Sequence, residues 1–135
     1  MKYLRYFMGV LAVLAIAGCD PSDKKIIDYG KDEVAQSLKD PTSAMFRDVY
    51  FKKDEKQLKS GTSGYVCGQL NAKNSFGAYV GYGPFYIHVY LEPRWVLPVF
   101  GVLKGASDLQ VLSGAGSKDE QLAELLKYNE ICGQH

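Results

Sequence analysis

The chain has 135 residues, with 16 Lys and Arg against 15 Asp and Glu, 47% hydrophobic and 13% aromatic, the composition of one globular domain and not of a disordered or fibrous chain. A formal charge of +1 is far from the strongly basic balance of a nucleic-acid binder, so no nucleic-acid partner is expected.

Lys2 and Arg5 open the chain, and an apolar run over 6–16 follows, of the length of a secretory leader and short for a membrane span. The run ends in Ile16-Ala17-Gly18-Cys19, an aliphatic residue, two small residues and a cysteine, which resembles the lipobox of bacterial lipoproteins. That resemblance implies removal of 1–18 and lipid on Cys19, and loss of Lys2 and Arg5 turns the formal charge from +1 to −1. An ordinary signal peptide with a chance cysteine is the other reading of the same residues. Each buried methylene of an acyl chain contributes about 0.8 kcal/mol, so two or three chains would anchor the domain without spanning the membrane. Asp20 resembles the residue that retains enterobacterial lipoproteins in the inner membrane, which implies its periplasmic face. Other bacterial groups read that position differently, and the outer membrane stays open.

With Cys19 assigned to lipid, Cys67 and Cys132 remain in a chain bound for an oxidising compartment, and one structural disulfide is expected between them. A loop of that length contributes about 4 kcal/mol in the chain-entropy model. The Cys-x-x-Cys spacing of a redox site is absent.

Residues 19–23 form a short polar tether and 24–135 a single domain. Ile27, Val34 and Leu38, with Tyr29 and Ala35 beside them, predict a helix over about 23–39, with Gly30 as its weak point. Asp40-Pro41 then signals a capped helical turn. Residues 47–53 alternate as a strand, with Val49 and Phe51 on one side and Asp48, Tyr50 and Lys52 on the other. After a charged loop, 65–72 is a second strand carrying Cys67, and a turn at 73–75 leads into a third extended segment, 76–82. Phe85, Ile87, Val89 and Leu91 alternate with Tyr86, His88 and Tyr90, the clearest strand pattern in the chain. Residues 94–102 are apolar but contain Pro98, as an edge strand or a packed loop would. Ser117-Lys118-Asp119-Glu120 is a capping box, and Leu122, Leu125 and Leu126 predict the buried face of the helix that follows, with Cys132 on the same side. These elements make an α+β fold: an antiparallel sheet of about four strands packed by N- and C-terminal helices.

The run 39–49, the run 66–79 and a final helix ending in cysteine look like a set of small exported proteins and lipoproteins of proteobacteria and their prophages. The resemblance implies a compact fold with the Cys67–Cys132 bridge, but no substrate. Prophage carriage in that set is an analogy for envelope roles such as exclusion or protection.

His88 and the terminal His135 are the only histidines, so no metal site is expected, and no sequence motif calls for a cofactor. A hydrolase would have to use His88, with Ser75 and Glu92 among the available partners, yet no nucleophile elbow accompanies them. Asn71, Lys73, Asn74 and Ser75 form a polar run suited either to a ligand or to a local turn. Tyr86, His88 and Tyr90 share one strand face, with Tyr50 on the corresponding face of another strand; such a face suits a protein partner, or burial under a helix. The expected function is non-catalytic binding at the envelope. The alternatives are an inhibitor, immunity or phage-exclusion protein, and then a small hydrolase.

Overall fold

A computed structural model describes residues 22–93, 101–112, 114 and 116–133. The expected leader, Cys19 and most of its tether, His135 and nearly all of the 94–102 segment lie outside the described residues. In chain order the elements are α1 (Asp23–Gln36), a 3-10 turn (Pro41–Ser43), β1 (Met45–Lys53), β2 (Thr62–Asn71), β3 (Gly83–Pro93), β4 (Val102–Val111) and α2 (Lys118–Cys132). The strands form an antiparallel meander in the order β1-β2-β3-β4, and a disulfide joins Cys67 to Cys132, with Cα atoms 6.0 Å apart. The α+β architecture with a helix at each end is the one expected.

One face of the sheet carries the main core. Val66 and Leu70 of β2 and Phe85, Ile87, Val89 and Leu91 of β3 are buried there together with Ile26 and Val34 of α1. Gly30 is no weak point in α1. A Cβ built on it would lie 2.8 Å from Val66 Cγ2, so the missing side chain is what lets the helix settle onto the middle of β2. The turn that follows is capped as expected: Asp40 Oδ1 accepts from the Thr42 amide at 3.2 Å and from its hydroxyl at 2.7 Å.

Both edge strands are interrupted by bulges. Between Arg47 and Tyr50 the β1 register shifts, and Asp48 adopts a left-handed φ of 52°. Phe46 and Val49 are three residues apart and would face opposite ways in a regular strand. The extra residue brings both, with Phe51, against the core. In β4 the register shifts opposite Ile87, with Asp108 at φ 51°. Lys104 and Ala106 pair with the core residues Leu91 and Val89, and beyond the bulge Leu109 and Val111 take over that face. Aspartate tolerates the left-handed region better than most residues, and a kinked, charged edge is a poor template for another strand.

Two expectations are corrected. Residues 76–82 are not a strand: Gly77 and Gly81 take φ values of 78° and 104°, and the segment forms a loop with one isolated bridge, Lys73 to Tyr79. The fourth strand is β4 instead. In α2 the capping box is present, but Leu122, Leu125 and Leu126 are exposed, and Tyr128, Ile131 and Cys132 pack on the second sheet face. The sheet beneath the front half of α2 is polar, with Gln110 donating to Glu124 at 3.3 Å, so a leucine face would find no apolar partner there.

Gly30→Ala gains helix propensity of up to about 1 kcal/mol but overpacks against Val66 at a cost of about 1–3 kcal/mol. The expected result in urea unfolding is a net destabilisation that turns into a stabilisation in a Val66→Ala background.

Candidate functional site

The second sheet face holds the tyrosines and histidine singled out in the sequence, and α2 covers part of it. Tyr86 is 1% exposed and lies in one cluster with Cys67 and Cys132, so it is no part of an open surface. Tyr65 meets Tyr86 edge-on at 6.0 Å, and Tyr128 approaches Tyr86 at 6.5 Å between ring centroids. Tyr50 donates a hydrogen bond to the Cys132 carbonyl oxygen, tying β1 to the end of α2. Burial, and then the neighbouring Tyr128, push the Tyr50 hydroxyl up to about 12. Tyr90 lays its ring over Gly105 on β4, where a Cβ would lie 2.1 Å from the ring. Of the face expected to meet a partner, Tyr86 is covered and the other three side chains are half-buried in contacts within the domain.

His88 is clasped to the β1–β2 loop. Its Nε2 lies 2.9 Å from Asp54 Oδ2, and the Ser63 hydroxyl donates to the same oxygen at 2.7 Å. Gln57 completes the clasp, donating to the carbonyls of Asp54 and Ser63 and accepting from the Ser63 amide. The carboxylate stands between hydroxyl and imidazole, so the Ser63 proton points at Asp54 and not at the ring. In a hydrolytic triad the imidazole occupies that middle position. Ser75 is bonded to Lys39, at the far end of the sheet.

The polar run 71–75 is engaged by its own loop and by its neighbours Ser43 and Lys39. Asn74 Oδ1 accepts from the amides of Phe76 at 2.9 Å and Ala78 at 3.1 Å, and Asn71 Oδ1 accepts from Gly81 at 3.2 Å. The Lys73 amide donates to Ser43 Oγ at 3.1 Å, and its ammonium lies over the Tyr79 ring. Beside these bonded polar groups, the loop presents apolar side chains to solvent. Phe76 is 95% and Val80 77% exposed, with Tyr79 and Tyr82 about half as accessible. Arg47 stacks on Tyr82 with 4.3 Å between the guanidinium carbon and the ring centroid. The loop is thus a braced aromatic tip with Lys73 and Arg47 against its tyrosines. Reading 76–82 as a strand hid it, although four large apolar or aromatic side chains interleaved with two glycines within seven residues were the available signal.

A shallow cleft of about 250 Å3 lies under α2, lined by Tyr86, Gln110, Ala123, Glu124 and Lys127. Small-molecule sites occupy about 300–1,000 Å3, so it is below their range. Among the described residues, no group of three or more His, Cys, Asp or Glu side chains is placed to hold a metal ion, and no helix is long and apolar enough to cross a membrane. No protein-family model, curated protein or solved structure matches the chain.

The raised Tyr50 hydroxyl gives a pH signature. An unperturbed tyrosine ionises near pH 10, so between about 10 and 12 the unfolded chain releases a proton that the native domain keeps. The stabilisation is complete below that window and lost as pH rises through it. Tyr50→Phe is therefore expected to be less stable by about 1 kcal/mol near pH 8, with the deficit shrinking toward pH 12 in urea midpoints.

Proposed function

We propose that the protein is a lipid-anchored lipoprotein of the cell envelope that binds another envelope protein non-catalytically through the β2–β3 loop. The observation that carries this reading is the loop itself, which the Asn71 and Asn74 side chains brace from within while Phe76 and Val80 stand largely in solvent. Fully burying such side chains contributes about 1.5–3 kcal/mol each, and a braced loop loses little conformational freedom on docking. Export and anchoring are supported by the basic start, the apolar run and Ile16-Ala17-Gly18-Cys19, and the periplasmic face of the inner membrane by Asp20.

A second reading, an inhibitor or immunity-type protein that blocks an envelope enzyme, is favoured by the shape of the same feature. A nearly free phenylalanine at the tip of a braced loop is suited to fill an apolar cleft, with Phe76 as the plug.

Mild crosslinking of detergent-solubilised envelopes tests the binding reading. The expected result is a stoichiometric partner captured by the wild type and by Leu122→Ala/Leu126→Ala but lost with Phe76→Ala/Val80→Ala. Identical capture with and without the loop side chains would contradict it. If the partner is an enzyme, inhibition lost on Phe76→Ala selects the second reading.

A further inference from the structure

The geometry of the chain's entry into the domain assigns an orientation. We propose that the end of the sheet where β3 finishes and β4 begins rests on the bilayer, with Val102 and Leu103 among the lipid headgroups and the β2–β3 loop directed away from the membrane. This rests on the lipid-anchor reading of Cys19.

Three observations support it. First, α1 starts at that end. Gly30 sits on Val66 near the middle of β2, and Tyr29, one residue earlier, lies under the Lys104 ammonium at 5.3 Å. Lys104 pairs with Leu91 near the finish of β3. The other end of α1 leads through Pro41–Ser43 into Met45, which pairs with Asn71 at the opposite end of the sheet, beside the β2–β3 loop.

Second, the chain between anchor and domain is short. Ser22 precedes the first residue of α1, three residues after Cys19. Three residues reach about 10 Å when fully extended, little more than the depth of one headgroup layer, about 5–8 Å. A lipid on Cys19 therefore holds this end of the domain at the membrane surface.

Third, the surface suits a lipid interface. Val102 and Leu103 are adjacent on a strand and so point to opposite faces, yet each is about half exposed. Their joint exposure places the first residues of β4 beyond the cover of both helices. Lys24, Lys25 and Lys104 lie at the same end with Asp23, Asp28 and Glu92, so its charge is balanced and the apolar pair supplies the attraction to the interface. Strand β2 carries the loop about 30 Å from this end, beyond the headgroup layer.

The test uses the full lipidated protein in vesicles of phosphatidylethanolamine and phosphatidylglycerol, some containing brominated acyl chains. Trp95 is the single tryptophan, so Trp95→Phe gives a silent background into which Leu103→Trp or Phe76→Trp is placed, both at exposed positions. Circular dichroism checks the fold of each variant, and intact mass checks lipid on Cys19. The expected result is strong bromine quenching of the tryptophan at 103 and negligible quenching at 76. Equal or stronger quenching at 76, or none at either position in protein that carries the lipid, would overturn the orientation. A mass without lipid overturns the anchor reading itself, and the orientation with it, before any fluorescence is read.

Discussion

Strands β2 and β3 carry buried side chains on both faces, and that constraint shapes the rest of the domain. Val66, Leu70, Phe85, Ile87, Val89 and Leu91 need cover on one side, and Cys67 and Tyr86 need it on the other. A single helix cannot cover both faces of a sheet, so the chain places one before the strands and one after. The two are held differently. Helix α1 is seated by packing, with Ile26 and Val34 buried and Gly30 removing the one side chain that would lift it from Val66. Helix α2 turns its leucines to solvent and is fastened near its C-terminal end by the disulfide, the Tyr50 hydrogen bond and the packing of Tyr128 and Ile131.

The edge strands answer a different demand. β1 and β4 must each show apolar groups to one face along their length, but their sequences change parity partway. The left-handed aspartates at 48 and 108 absorb the extra residue and restore the face. The same bulges leave charge and a kink on both free edges, so neighbouring chains are discouraged from pairing there. Exposed apolar groups then lie in the β2–β3 loop, along the outer side of α2 and at Val102 and Leu103 where β4 begins. Of these, the loop is braced by side-chain hydrogen bonds and sits far from the start of α1.

Much of the fold was legible where local chemistry and global packing agree. Alternation over 85–91, the capping box at Ser117 and the cap-proline pair at Asp40 each specify backbone geometry within a few residues, and each appears as expected. β4 was missed because Gly105, Ser107 and the bulge at Asp108 break the two-residue period on which a strand is recognised. Residues 76–82 were misread for the opposite reason: their apolar content suggests a strand, and only the left-handed glycines forbid one. The leucines of α2 follow a correct helical stripe, but a stripe says which residues share a face and not which face meets the sheet. That choice was made by Cys132, Tyr128 and the polar Gln110 opposite Glu124. The candidate site was therefore only half legible. The tyrosine face was correctly placed on one side of the sheet, but its burial depended on how α2 sits.

If packing holds α1 while the disulfide holds α2, the two helices must differ in their response to a reductant, and amide hydrogen exchange reads each directly. On reduction of Cys67–Cys132, the amides of 118–132 should lose protection while those of Ile26, Gly30, Val34 and the centres of β2 and β3 keep theirs. Retention of α2 protection equal to that of α1, or a simultaneous loss across the whole domain, would show that the two helices are not held by separate means.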